Sequence, residues 1–307
     1  MKKPKVLVIV GPTCSGKTAL SLILAPHLSA EIISADSRQI FKFMDIGTAK
    51  PSPEELQRVP HHFVDILTPD QDFSAGEFGR QGRETIDNIL KRSKTPIVVG
   101  GAGLYIRSLV DGLFDGPHAD PELRKHMEEQ IESEGTAPLL EELRSVDPAA
   151  AVRMLPSHTH RIIRALEVYY ATGKPISELH AKKSESAFEP QFMGLHWERP
   201  KLYQNINERV ERMMGQGFLE EVRSILQRGY APGLNALQTV GYKEAIEHLE
   251  GKITLSRMVE LMKQNSRRFA KRQMTWFRAD KRIRWLEVGD VSELEALAGT
   301  ILVEFRR

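Results

Sequence analysis

The apolar run Lys5-Val6-Leu7-Val8-Ile9-Val10 passes directly into Gly11-Pro12-Thr13-Cys14-Ser15-Gly16-Lys17-Thr18. β-Branched residues dominate Val6–Val10 and no polar residue interrupts them, which predicts a buried parallel strand. From Thr18 to Leu28 the spacing becomes helical, with Leu20, Ile23, Leu24 and Leu28 on one side. Strand, Gly-bounded loop and helix start, in that order, make a phosphate-binding loop. Its backbone N–H groups and the positive end of the helix point at one anionic group. Lys17 adds a point charge, and the Thr18 hydroxyl can ligate Mg²⁺. Further strand signals at Glu31–Ser34 and Pro96–Gly100, separated by helical stretches, predict an α/β fold with a parallel sheet flanked by helices. Such sheets bind ligands beyond the carboxyl ends of their strands. The phosphate loop, Ala35-Asp36-Ser37-Arg38-Gln39 and Gly100-Gly101-Ala102-Gly103-Leu104-Tyr105 are therefore expected to converge on one site.

After Leu113 the texture changes. A turn-rich segment, Asp115 to Pro121, leads into helical spacing at Arg124–Glu134, Ala137–Arg144 and Thr159–Thr172. Lys182–Pro190 is polar and reads as a hinge or exposed loop. Phe192–Leu195 then resumes a strand. The expected organisation is an α/β core from residues 1–112 and 191–307, with an all-helical insertion at 113–190.

Helical stripes follow at Leu202–Gly215 and Phe218–Gln227. The long helix Ser256–Ala279 carries Arg267, Arg268, Lys271, Arg272 and Arg278, with Ala270, Met274 and Phe277 as its apolar stripe. No acidic residue occurs from Ser266 to Ala279. Residues 199–307 carry 20 Lys and Arg against 14 Asp and Glu, although the whole chain is only +2. A basic third in a near-neutral chain suits a local anionic partner.

Several classes drop out. No apolar run reaches the ~20 residues needed to span a bilayer, so no membrane partner is expected. Met1-Lys2-Lys3-Pro4 leads straight into the first strand and leaves no room for a signal peptide, which predicts a cytoplasmic protein. The single cysteine, Cys14, excludes an intrachain disulfide and a Cys-based zinc site. Neither His61-His62 nor His158 with His160 has metal-ligand spacing, so both pairs read as structural or surface residues. No Asn-Lys-x-Asp motif supports a GTPase, and the Pro96–Val99 strand ends in glycines rather than the acid of an ATPase motor. Glycines there let a ligand or another part of the chain approach the backbone closely. Asp36, at the end of the second strand, can help bind Mg²⁺, accept a proton from a nucleophile, or cap a helix with Ser37. Spacing alone leaves these roles open.

The block Asp36-Ser37-Arg38-Gln39-Ile40-Phe41-Lys42-Phe43-Met44-Asp45-Ile46-Gly47-Thr48-Ala49-Lys50-Pro51, with Gly11–Thr18 before it, resembles the tRNA dimethylallyltransferases, also called tRNA isopentenyltransferases. Further matches run in order through Pro60–Ile66, Phe73–Phe78, Val98–Tyr105, Arg161–Val168, Thr239–Lys243 and Lys271–Arg278. The resemblance covers nearly the whole chain. It implies transfer of a dimethylallyl group from dimethylallyl diphosphate to N6 of the adenine 3′ of the anticodon, in tRNAs that read codons beginning with U.

By the same resemblance the diphosphate occupies Gly11, Pro12, Thr13, Cys14, Ser15, Gly16, Lys17 and Thr18, with Mg²⁺ on Thr18. Asp36 would bind the adenine amine and act as general base. Ser37, Arg38, Gln39 and the residue at Ala102 would hold the flipped base. Arg124 and the segment His160, Arg161, Ile162, Ile163, Arg164 match tRNA-contacting positions. The partners implied are the tRNA anticodon stem-loop and dimethylallyl diphosphate, with the protein acting as a monomer.

Two departures stand out. The family usually has Thr in the motif that here reads Gly-Gly-Ala-Gly-Leu-Tyr, so Ala102 lacks a hydroxyl that lies near the substrates. Phe41 replaces a frequent Tyr. Transfer is expected to persist with Ala102. Competing readings are an adenylate (AMP or ADP) isopentenyltransferase, a small-molecule kinase, and a silent RNA-binding protein that keeps the fold. The insertion and basic tail disfavour the first; intact Lys17, Thr18 and Asp36 disfavour the last.

Overall fold

The computed structural model describes residues 3–112, 120–181 and 186–306. Leu113, the turn-rich segment up to Ala119 and the stretch Lys182–Glu185 lie outside the described residues. The chain divides into two units, Met1–Val110 with Ser186–Arg307 and Asp111–Glu185.

The first unit begins with β1 (Lys5–Val10), α1 (Lys17–Leu28) and β2 (Ala30–Ala35). It continues through α2 (Pro53–Arg58), β3 (His61–His62), α3 (Ala75–Lys91), β4 (Thr95–Gly100) and α4 (Gly103–Asp111). The second unit holds α5 (Pro121–Glu134), α6 (Ala137–Val146), α7 (Pro148–Ala151), α8 (Thr159–Thr172) and α9 (Ile176–Ala181). The chain then returns to the first unit with β5 (Glu189–His196), α10 (Arg199–Gly215), α11 (Phe218–Gln227), α12 (Tyr242–Leu249), α13 (Leu255–Arg278), β6 (Arg284–Glu287) and α14 (Leu294–Arg306).

All six strands are parallel, in the order β3-β2-β4-β1-β5-β6. Alternation along β1 builds two cores. Val6, Val8 and Val10 face one layer with Ile33, Val98 and Phe78, while Leu7 and Ile9 face the other with Leu20, Leu24 and Ile97. A parallel strand covered on both faces reads as a continuous apolar run, which is why the period of two was hidden in the sequence.

Register decides where the site lies. Val10 pairs with Gly100, and Gly100 with Ala35. Three strands thus end on one level, and Gly11, Asp36 and Gly101 leave the sheet side by side. With strands ~4.8 Å apart, the three loops fall within ~10 Å.

The helical unit has its own core, built from Leu139, Leu143, Ile162, Ile163 and Leu166 among others. A deeply buried carboxylate bridge ties α5 to α8. Glu167, 2% exposed at its side chain, takes Arg124 through two bonds of 2.9 Å, with Arg164 alongside at 3.4 Å. The unit ends at Glu185 rather than at 190, because Glu189 and Pro190 already pair with Lys5 and Val6 in β5. No helix among the described residues is long and apolar enough to cross a membrane.

Candidate active site

A cavity of ≈ 680 Å³ opens at the carboxyl ends of the strands, lined wholly by the sheet unit. The three predicted segments meet there: Thr13–Thr18, Asp36–Gln39 and Gly100–Tyr105.

The phosphate loop wraps the start of α1. Gly16 sits at φ 88° as the helix N-cap. Lys17 Nζ lies over the loop and donates to the Pro12 carbonyl at 2.5 Å. Burial pushes its pKa down to about 8, partly opposed by Asp36 and assisted by Arg209. A dianion in the loop would restore the charge that burial penalises. Two remote residues hold the loop: Trp197 donates to the Ser15 carbonyl at 3.0 Å, and Arg209 to Thr13 Oγ1 at 2.8 Å. Neither had a local sequence signal. Arg209 lies on α10 one turn from Ile206 and Met213, inside a stripe that reads as ordinary core.

Asp36 follows β2 with no helix after it. Its Oδ1 accepts from the backbone N–H of Arg38 (2.8 Å) and Gln39 (3.3 Å), so it caps a turn and lines the cavity at once. The cap expected at Asp36 closes a turn rather than a helix. Arg38 donates to the Asn235 carbonyl at 2.9 Å, and burial lowers its pKa. Gln39 uses its amide within the wall: Nε2 donates to the carbonyls of Thr48 (3.3 Å) and Ala49 (3.0 Å), and Oε1 accepts from Ser34. Its amide hydrogens are therefore given to the wall.

That wall, residues 44–51, is anchored from afar. The Glu221 carboxylate accepts three successive backbone N–H groups, of Asp45 (2.9 Å), Ile46 (2.7 Å) and Gly47 (3.1 Å). It also accepts the Tyr242 hydroxyl at 2.6 Å, and burial beside this carboxylate raises the tyrosine pKa well above 10. Lys50 Nζ bonds Phe41 O and the carboxylates of Asp45 and Asp65, closing the far side of the loop.

Glycines after β4 do admit close neighbours, and the neighbours are protein. A Cβ on Gly100 would lie 2.0 Å from the Ala35 carbonyl, and one on Gly101 would lie 2.2 Å from Gln273 Nε2. Ala102 lines the cavity between them and Leu104.

His61, read from sequence as structural, reaches the cavity wall. Its Nδ1 lies 2.7 Å from the Val59 carbonyl, its Nε2 is buried without a partner among the described residues, and burial lowers its pKa. His62 is structural, joined to Glu31 at 2.8 Å.

The basic helix α13 divides by face. Half-buried Arg267 bonds Asn207, while Arg268, Lys271, Arg272 and Arg278 are exposed, Arg278 also reaching His196. Arg272, Phe269 and Trp276 reach the cavity; the two rings are 40% exposed. The buried register is Met262, Ala270, Gln273 and Phe277, so Gln273 takes the place expected for Met274. In the helical unit, His160 and Arg161 are exposed and Arg164 is half-buried. Ile162 and Ile163, grouped by resemblance with the RNA-contacting segment, place their side chains in that unit's core at 0% and 2% exposure. Helical periodicity forces this: four consecutive residues cannot share one face. Arg124 is engaged by Glu167, with its side chain 40% exposed.

Residues 39–280 match the family model described as IPP transferase. A tRNA dimethylallyltransferase from Geobacter sulfurreducens is 47% identical over 93% of this chain and 92% of its own length. One from Pelotomaculum thermopropionicum is 46% identical over 98% and 96%. Among solved structures, a tRNA isopentenylpyrophosphate transferase from Bacillus halodurans matches with a TM-score of 0.73 at 36% identity, covering 99% of this chain and 97% of that one. A eukaryotic dimethylallyltransferase acting on tRNA matches with a TM-score of 0.85 at 29% identity, covering 98% and 78%.

Proposed function

The chain belongs to the IPP transferase family, and on that premise we propose how its cavity performs the reaction. It is a tRNA dimethylallyltransferase, an enzyme that moves a prenyl group onto tRNA. The donor in our reading is dimethylallyl diphosphate. The acceptor is N6 of the adenine 3′-adjacent to the anticodon, in tRNAs reading codons that begin with U, and the protein acts as a monomer. One observation carries this reading: the loop after β1 and the Asp36 carboxylate after β2, with β4 between the two strands, open on the same cavity.

An exocyclic adenine amine is a weak nucleophile because its lone pair is delocalised into the ring. The protein must therefore act on the leaving group. The C1–O bond to diphosphate breaks as the N6–C1 bond forms, and the proton from N6 passes to the Asp36 carboxylate. Lys17, Arg209 and the loop N–H groups stabilise charge growing on the departing diphosphate. Thr18 offers a hydroxyl at the cavity wall, a hard oxygen donor that fits Mg²⁺, which keeps most of its waters and takes few protein ligands. When bound there, the ion would supply Lewis-acid stabilisation of the phosphate oxygens. Ser37, Arg38 and the wall that Gln39 pins shape the acceptor side.

The base must leave its stack, which costs a few kcal/mol and least in a single-stranded loop. Contacts from exposed Arg268, Lys271 and Arg272, and from His160, Arg161, Arg164 and Arg124 of the helical unit, offset that cost. RNA binding that rests on them weakens with salt. The adenylate-transferase and kinase readings give way, because relatives named for tRNA match over nearly the full length.

The test incubates an unmodified anticodon stem-loop, dimethylallyl diphosphate and Mg²⁺ with the protein. A gain of one dimethylallyl group on the adenine is expected. Gain on free AMP and not on RNA would overturn the acceptor assignment.

A further inference from the structure

The hydrogen-bonded ladder between β1 and β4 ends at the Val10–Gly100 pair. Beyond it the two loops that carry the donor and acceptor ends of the site have no strand to hold them together. Gln273, 7% exposed on α13, fills that gap. Its Oε1 accepts from the Thr13 backbone N–H at 2.8 Å, and its Nε2 donates to the Gly101 carbonyl at 3.0 Å. A primary amide can accept on one side and donate on the other, as a backbone peptide does. A carboxylate of equal length offers no donor, a thioether no donor and only a weak acceptor, and asparagine is one methylene short. From Gly101 the connection continues, since the next residue, Ala102, donates its N–H to the Ala35 carbonyl at 3.1 Å, adjacent to Asp36.

We propose that Gln273 is a positioning residue, a side-chain rung that extends the sheet past its end and spaces the phosphate loop against the Gly101–Ala102 turn. It thereby sets the separation between C1 of the bound donor and the acceptor nitrogen. The inference rests on the prenyl-transfer reading above. Misplacing reacting groups by 1 Å costs on the order of 10²-fold in rate. A residue that sets spacing without touching either substrate should act on turnover and leave affinity nearly intact.

Gln273→Met keeps the volume and removes both bonds. With stem-loop RNA and dimethylallyl diphosphate, its kcat is expected to fall about 30-fold or more, with both KM values within about threefold of wild type. Gly101→Ala displaces the amide by the close contact described above and should cost a similar factor. The double variant Gln273→Ala/Gly101→Ala should be no worse than Gln273→Ala or Gly101→Ala made alone, because one rung is lost once. General weakening of the fold would instead make the losses multiply. If Gln273→Met does not fold, Gln273→Glu carries the test, keeping the Thr13 bond and losing the Gly101 bond. Wild-type kcat in the substituted protein, or multiplied losses in the double variant, overturns the rung. A wild-type protein that prenylates no RNA overturns the functional reading, and the rung with it.

Discussion

The two sides of the cavity are built differently. The phosphate side is eight contiguous residues framed by the strand before them and the helix after them, with Trp197, Arg209 and Gln273 tying that frame from outside. The acceptor side, residues 36–51, is a run of turns with one isolated bridge, Phe41 to Leu67, and no helix or strand of its own. It keeps its form through Glu221 and Tyr242, about two hundred residues away in sequence. Local backbone geometry sets the course of the first loop, and the outside ties only pin it. A surface that must admit one base needs contacts from elsewhere to keep its shape.

This contrast can be broken at four points. Asp36→Ala removes the proton acceptor and should lower kcat by about 10³-fold, while RNA binding in a filter or fluorescence assay stays nearly intact. Surviving turnover would remove Asp36 from the role of base. Glu221→Ala frees three backbone N–H groups and should raise the RNA KM, or lower kcat, by about 30-fold, with the donor KM almost unchanged. An equal rise in donor KM would show that the two sides are not separately built.

Lys17 tests the phosphate side by pH. With its pKa at about 8 in the ligand-free protein, the lysine is charged below that pH and neutral above it. Diphosphate binding favours the charged form, so the donor KM should rise above pH 8, approaching about tenfold per pH unit. The RNA KM should show no matching rise. In the ligand-free protein the sign reverses for stability. The unfolded lysine holds its proton up to about 10.5, so this group adds stability as pH climbs from 8 towards 10.5. The smallest effect is expected at Ala102→Thr, less than about threefold on kcat. A silent natural enzyme rescued by Thr would show that the missing hydroxyl is essential.

Much of the fold was legible. β1, the helix after the loop, α8 and α11 lie where periodicity placed them, because each carries its apolar residues at a spacing that burial enforces. Convergence of three strand ends was legible too, since parallel sheets have few ways to connect. Gln273, Glu221, Arg209 and Trp197 were not. Each is a polar or aromatic residue within an ordinary helical or loop pattern, and its role depends on a partner far along the chain. Gln273 also slipped past because the stripe of α13 was read through Met274, one position from the true buried register. The segment His160–Arg164 shows the opposite limit. Resemblance named it as a unit, and the helix turned two of its five residues inward.

The sequence by itself determined that this chain sets a P-loop beside a carboxylate, because strand, loop and helix start are local and the motif block is contiguous. Tertiary structure decided the spacing between them. That distance is set by strand register, by one buried amide and by one carboxylate in a backbone nest, and none of these is encoded by neighbours in sequence.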